Sequence, residues 1–134
     1  MEKKFDKITN FRKDYDTKSL SMSLVNSDPF NQFSDWFAKV LESKHLEPTA
    51  MTLATCSKQG IPSVRTVLLK SFNSQGFIFY TNYNSRKGQE LQENPFAALL
   101  FFWDLLEQQV RIEGRVAPLP TAQSDAYFAS RPID

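Results

Sequence analysis

The sequence contains few of the residues from which most catalytic and metal sites are built. Among its 134 residues are one cysteine, Cys56, and one histidine, His45. A single cysteine excludes an internal disulfide and a cysteine-based zinc cluster, and it is typical of a reducing cytoplasm. We interpret Cys56 as a small core residue, and His45 as a cation that complements the dipole at the end of a helix. No glycine-rich phosphate loop, carboxylate pair or metal-ligand spacing is visible, so an enzyme of this kind would need a bound cofactor.

Excess charge of one sign and long apolar runs are also missing. Sixteen Lys and Arg against fifteen Asp and Glu leave a net charge of +1, which is too small for a protein that neutralises a run of nucleic-acid phosphates. Any anion site must therefore be local. The first twenty residues are charged throughout, and no run of eighteen apolar residues occurs. We expect a cytoplasmic protein with neither a membrane segment nor a nucleic-acid partner.

The pattern of apolar residues predicts a mainly β, α+β chain. Residues 1–28 are polar, and we expect them to form a mobile arm before a single domain at 29–134. Asp28, a proline and apolar residues at helical spacing predict the first helix. Shorter helices are expected at 85–93 and in PTAQSDAYFAS. Five β-branched or aromatic runs predict strands: AMTLATCS, PSVRTVLLKSF, GFIFYTN, FAALLFFW and EQQVRIEGRVAPL.

Five strands with few covering helices leave strand edges and apolar faces that must be covered. Closing the sheet into a barrel, or pairing it with a second copy, covers them. The run FAALLFFW is apolar at every position, so we expect one of its faces inside the barrel and the other against a helix or partner subunit. The sequence therefore predicts a small antiparallel β-barrel that forms a homodimer.

The segment TNYNSRKGQELQENP places two cations at the start of the second predicted helix. The unpaired N–H groups of a helix start favour an anion, and Arg86 and Lys87 add charge that suits a phosphate. In the alternative interpretation, Asn84 or Ser85 merely caps the helix and both cations are solvated. Cations in the first turn are unfavourable for a helix without a ligand, which favours the phosphate.

Two further motifs offer cations for a ligand. In RTVLLK, Arg65 and Lys70 fall on opposite faces of the predicted strand, so either a bulge redirects Lys70 or the two contact different parts of a ligand. Alternatively, Lys70 simply ends the strand in solvent. In DAYFASRP, Tyr127 and Arg131 would share a helix face and suit a second phosphate. A core Tyr127 with Arg131 near the helix C-terminus is the simpler interpretation.

Together these motifs resemble the pyridoxamine/pyridoxine 5′-phosphate oxidase family of FMN-dependent homodimers. The resemblance runs from FRKDYD to the last residue, and its most specific parts are RTVLLK, FYTNYNSRKGQELQENP, EQQVRIEG and YFASRP. It implies an FMN-binding split β-barrel that oxidises pyridoxamine or pyridoxine 5′-phosphate to pyridoxal 5′-phosphate. A hydride would pass from the substrate C4′ to the flavin N5, and O2 would reoxidise the flavin and leave as peroxide. A split-barrel protein that binds FMN or pyridoxal phosphate without turnover is the alternative.

By position, the resemblance implies two sets of contacts that anchor two phosphorylated rings rather than act as acids or bases. The implied FMN contacts are Arg65, Thr66, Val67, Leu68, Tyr80, Thr81, Arg86, Lys87 and Gln109. The implied substrate contacts are Lys70, Tyr127, Arg131, Arg12 and Tyr15. Family members continue beyond SRP with further FMN and substrate motifs, whereas this sequence stops at Asp134. We therefore expect it to be a fragment of a longer protein.

Overall fold

The structure is a computed structural model that describes residues 20–21, 23–81 and 84–118, and only the backbone of 127–132. Its first helix, α1 (Pro29–Glu42), has a proline in its first turn, as predicted. The Asp28 side chain caps this helix by accepting a hydrogen bond of 2.9 Å from the Phe30 N–H. Within the described ranges, no helix combines the length and the apolar character that crossing a membrane requires.

Six strands form one antiparallel sheet. They are β1 (Ala50–Cys56), β2 (Pro62–Asn73), β3 (Gly76–Tyr80), β4 (Phe96–Trp103), β5 (Gln108–Pro118) and β6 (Tyr127–Pro132). Around the sheet the order is β1-β2-β3-β6-β5-β4, and pairing of β4 with β1 closes it into a barrel. The predicted antiparallel barrel and its five predicted strands are therefore confirmed.

The sixth strand shows that the helix predicted in PTAQSDAYFAS is wrong where the structure describes it. Strand β6 pairs with β3 on one side and with β5 on the other. Residues 119–126, the first part of that segment, lie outside the described residues. Unpaired edges of neighbouring strands offer a row of backbone donors and acceptors, and pairing with them overrides a weak local helical pattern.

The barrel core is built from the inward residues of the strands and from one face of α1. Phe33 of α1 packs among the barrel aromatics, with ring centroids 4.9 Å from Phe77, 5.2 Å from Phe101 and 5.7 Å from Trp103. The other fully buried large side chains include Met51, Leu53, Phe79 and Leu99. Alternation along each strand directs these side chains inward and their neighbours outward.

Among the described residues, strand β4 is covered on its inner face, and its outer face is partly exposed. Its inward residues Leu99, Phe101 and Trp103 are buried, as predicted for FAALLFFW, whereas Phe102 is 65% exposed on the outer face. The expectation that a partner covers this outer face stays a prediction.

Candidate functional site

The second helix, α2 (Arg86–Glu93), begins where the sequence predicts it and carries two cations in its first turn. The Ser85 hydroxyl caps it by accepting a hydrogen bond of 3.2 Å from the Gly88 N–H. No acidic residue lies in its first turn, so the helix dipole and the cations at Arg86 and Lys87 add to one another. Capping by Ser85, which was part of the alternative interpretation, is thus confirmed.

A buried carboxylate fastens α2 to the barrel. Glu90 is 5% exposed, and its Oε1 accepts hydrogen bonds from the hydroxyls of Thr55 at 2.6 Å and Ser63 at 2.7 Å. Thr55 and Ser63 are directly paired across β1 and β2, so one carboxylate contacts both strands. Glu90 was not among the candidate site residues predicted from the sequence. Its position four residues after Arg86, where a helical ion pair can form, was the only local signal.

The same carboxylate lies between two guanidinium groups. The Arg86 Nε is 3.2 Å from the Glu90 Oε2, and the Arg65 Nη2 is 3.6 Å from the Glu90 Oε1. Arg65 also donates to the Thr55 and Ser63 hydroxyls, both at 2.8 Å, and to the Leu53 carbonyl at 3.1 Å. The fold therefore brings together Arg65 from β2 and Arg86 from α2, which the sequence places twenty-one positions apart.

The pKa shifts of this cluster follow from its contacts. Hydrogen bonds from Thr55 and then Ser63 lower the pKa of Glu90 to about 2, with a further contribution from Arg86 and against the effect of burial. Burial lowers the pKa of Arg65, and the charge of Glu90 opposes that shift. Glu90 is therefore ionised at neutral pH, while both guanidiniums stay cationic. Arg65, Arg86 and Glu90 together carry a net charge of +1, and Lys87 follows Arg86 in the first turn of α2, so this end of the helix has an excess of positive charge that attracts an anion.

Lys70 lies on the opposite side of β2 from Arg65, as the alternation predicted. Arg65 is half-buried toward the barrel and Lys70 is exposed on the outer face. The pairing of β2 with β3 shifts register between Leu69 and Ser71, so a bulge is present at Lys70, but it does not turn this side chain toward Arg65. The Lys70 Nζ lies 4.7 Å from the centre of the Tyr80 ring, close enough for a cation–π contact.

The remaining implied FMN contacts of β2 and β3 differ in their accessibility. Thr66 and Leu68 are exposed on the outer face with Lys70, whereas Val67 packs against the core. Thr81 is buried directly after β3, and its hydroxyl has no hydrogen-bond partner in the described part of the chain. A buried hydroxyl of this kind is a candidate ligand contact.

One chain does not bring Gln109 to Arg65. Gln109 is exposed on β5 and pairs across the sheet with Phe102. Strands β1 and β4 separate β5 from β2 on this side of the barrel, and Arg65 faces inward while Gln109 faces outward. Whether both residues contact one ligand therefore stays a prediction.

Contrary to the prediction, Tyr127 and Arg131 do not share a helix face, because both residues belong to strand β6. The backbone of Tyr127 pairs with Tyr80, and that of Arg131 pairs with Arg115. Four residues of extended strand span about 13 Å, against about 6 Å for the same spacing on a helix. The side chains of these two residues are outside the description, as are Arg12 and Tyr15 entirely.

His45 links two elements instead of capping α1. The helix ends at Glu42, and the His45 Nδ1 contacts the Ser43 hydroxyl beyond it. The His45 Nε2 accepts a hydrogen bond of 3.3 Å from the Leu105 N–H and lies 3.4 Å from Asp104, in the turn between β4 and β5. The interpretation of His45 as a dipole-complementing cation is therefore wrong. Cys56, the last residue of β1, is half-buried.

A family model described as pyridoxamine 5′-phosphate oxidase matches residues 37–134. The chain belongs to the pyridoxamine 5′-phosphate oxidase family. A pyridoxine/pyridoxamine 5′-phosphate oxidase from Nostoc sp. is 56% identical over 127 residues, which cover 95% of this chain and 59% of that protein. The chain thus spans 59% of the length of this curated relative.

Two solved structures are similar in fold to this chain. PhzG from Burkholderia lata, crystallised with tetrahydrophenazine-1-carboxylic acid, has a TM-score of 0.70 and 34% identity, and the match covers 75% of this chain and 51% of that one. A pyridoxamine 5′-phosphate oxidase-related, FMN-binding protein from Nostoc punctiforme has a TM-score of 0.60 and 22% identity over 78% of this chain and 55% of that one. The split β-barrel of the pyridoxamine 5′-phosphate oxidase family is therefore confirmed.

Proposed function

We propose that this chain binds FMN through its phosphate at the start of α2 and contributes to the oxidation of pyridoxamine or pyridoxine 5′-phosphate to pyridoxal 5′-phosphate, with O2 as the acceptor. The observation that carries the proposal is the pair of guanidiniums, Arg65 and Arg86, held at a capped helix start. The proposal is supported by the 56% identity to a relative named as such an oxidase.

The residues present fit a phosphate monoester. Arg86 and Lys87 supply cations at the α2 start, where backbone N–H groups also point toward an anion. The buried Thr81 hydroxyl, unsatisfied within the described ranges, offers a further donor nearby in sequence. Bound FMN would supply the redox chemistry, and the side chains of this chain would bind and orient it.

The second anion site of the proposal uses Lys70. This cation lies on the outer face of β2, away from the Arg65 cluster, and its ammonium is held over the Tyr80 ring. Two phosphorylated ligands need two separate cation sets, and the opposite directions of Arg65 and Lys70 meet that need. Substrate contacts from Tyr127, Arg131, Arg12 and Tyr15 remain predictions.

We also propose that the chain forms a homodimer in the cytoplasm. Across β2, β1 and β4, the outer residues pair in rows without a charge: Val64, Ala54 and Ala98 in one, and Thr66, Thr52 and Leu100 in the next. The adjoining outer residues of β5 are polar, with Arg111 and Glu113 3.2 Å apart as an ion pair. A largely apolar face bounded by charge suits a second copy, which could also bring Gln109 to a shared site.

Turnover is tested by mixing the purified chain with FMN and pyridoxamine 5′-phosphate in air. We expect pyridoxal 5′-phosphate and peroxide to form in equal amounts, since each hydride removed reduces one O2. The second candidate is an FMN-binding protein without turnover. Bound flavin without peroxide would select that candidate and contradict the oxidase assignment.

A further inference from the structure

Glu90 is a carboxylate inside a site that we assign to an anion. We propose that Glu90 is a positioning residue, which fixes α2 and the Arg86 guanidinium beside Arg65 and thereby sets the preference of this chain for FMN over riboflavin. This inference rests on the proposed function, because it concerns how the proposed phosphate site is built.

The contacts of Glu90 fix the position of the helix. Its Oε1 accepts from Thr55 and Ser63, which belong to adjacent strands. One carboxylate thus ties α2 to two strands at a point where both backbones are rigidly paired. Leu91, the next residue, is buried as well. These two residues therefore form the side of α2 that faces the barrel.

The two guanidiniums depend on Glu90 to different extents. Arg65 is held by Leu53, Thr55 and Ser63 in addition to Glu90, so its orientation would survive loss of the carboxylate. Arg86 is 67% exposed, and within the described residues its side chain has Glu90 as its one ion-pair partner. Loss of the carboxylate would therefore release Arg86 into the many rotamers of a solvated arginine.

Two opposing effects give the proposal a testable sign. Replacing Glu90 with glutamine adds one unit of positive charge to the site, which by simple electrostatics would strengthen anion binding. The same replacement weakens the contact that orients Arg86 and lets α2 shift on the barrel. This loss of orientation would weaken anion binding. At metal sites, removing a group that orients a ligand side chain costs about 10- to 100-fold in affinity, and we expect a comparable effect on the orientation of Arg86. The positioning effect should therefore prevail.

The experiment measures the dissociation constants of FMN and riboflavin by flavin fluorescence for the full chain and for Glu90→Gln. Riboflavin lacks the phosphate, so the ratio of its dissociation constant to that of FMN reports the phosphate contribution alone. We expect this ratio to fall by about tenfold in Glu90→Gln, with riboflavin affinity unchanged. Glu93→Gln, which removes an exposed carboxylate from the same helix, should leave the ratio as in the wild type.

Repeating the measurement in an Arg86→Gln variant tests whether Glu90 acts through Arg86. In Arg86→Gln, the further change Glu90→Gln should alter the ratio by less than about twofold, because the residue through which Glu90 acts is already gone. An unchanged or increased ratio in Glu90→Gln, or an equal fall in both backgrounds, would overturn the inference. Should Glu90→Gln fail to fold, Glu90→Asp decides in the same way, since it keeps the charge but shortens the side chain and so withdraws the carboxylate from the Arg86 Nε.

The titrations of the wild-type chain distinguish failure of the proposed phosphate site from failure of the role of Glu90. A wild-type chain that binds FMN no more tightly than riboflavin contradicts the phosphate site itself, and the role of Glu90 is overturned with it. A wild-type chain that prefers FMN, together with a Glu90→Gln variant of the same preference, overturns the role of Glu90 alone.

Discussion

Glu90 gives the fold a dependence on pH that can be measured. Its pKa is lowered from 4.5 to about 2 in the folded chain, so folding favours the ionised form. The stabilisation is complete above the unfolded pKa and is lost as the pH falls from about 4.5 toward 2. We predict that the melting temperature of the wild type exceeds that of Glu90→Gln at pH 7, and that the difference shrinks across this interval. A difference independent of pH would contradict the assignment.

Arg86 should carry much of the affinity for FMN. Loss of a charge-assisted hydrogen bond costs roughly 1.5 to 3 kcal/mol, so Arg86→Ala should weaken FMN binding by about tenfold or more and leave riboflavin binding unchanged. Fluorescence titration of both flavins measures this. Lys58→Ala, which removes an exposed cation from the turn after β1, is the matched control. Equal FMN affinity in Arg86→Ala and the wild type would refute the phosphate site.

The residue-level features that sequence could predict are those with a local cause. Arg86 and Lys87 stand out because they occupy the first turn of a helix whose start is marked by Ser85. The partners of Glu90 could not be predicted, because Thr55 and Ser63 are 35 and 27 positions away along the chain. Their contact depends on how α2 docks on the barrel, which no local pattern encodes.

The turn between β1 and β2 offers a test at the level of an element. Gly60 has φ +87°, and a Cβ added there meets nothing within 4 Å. Gly60→Ala therefore isolates the backbone cost of a left-handed conformation, and we predict a loss of about 1 to 2 kcal/mol in the free energy of unfolding. Urea denaturation measures it, with Gln59→Ala as the control in the same turn. Unchanged stability in Gly60→Ala would contradict the turn geometry.

Predictability differs from one element to the next for physical reasons. The start of α1 was predicted because Asp28 and Pro29 form a local start signal, and β1 to β5 because their residues are β-branched or aromatic. Strand β6 was mistaken for a helix because its conformation follows from pairing with β5 on one side and, on the other, with β3, which lies more than forty residues earlier in the sequence. The role of His45 was missed for a similar reason, since its partner Asp104 is distant along the chain.

Assembly of the whole molecule is tested on the outer face of β4. Phe102 follows Leu100 on the outer face of β4 and is 65% exposed, and Val64 is 66% exposed on the outer face of β2. We predict that the wild type sediments as a dimer and that Phe102→Asp sediments as a monomer, because a carboxylate buried against a second copy is costly. Leu41→Asp, which changes a leucine of α1 that is 57% exposed, is the control and should remain dimeric. A monomeric wild type at micromolar concentration would contradict the proposal.

The closed barrel was foreseeable as a class, but its strand order was not. Five strands with few helices call for closure or pairing, since open edges are otherwise exposed. Strand β6 lies between β3 and β5, and this order depends on contacts between strands that no local pattern encodes. The strand order in turn decides which residues share an end of the barrel. Sequence alone therefore identified the cations of the site without showing that Arg65 and Arg86 share one carboxylate.

On this proposal, the guanidinium pair and the start of α2 form a phosphate site for a flavin. Its most direct test is a parallel fluorescence titration of the purified wild-type chain with FMN and with riboflavin. We predict saturable FMN binding that is at least about tenfold tighter than riboflavin binding, as a charge-assisted phosphate contact requires. Equal affinities, or no binding of FMN, would contradict the claim.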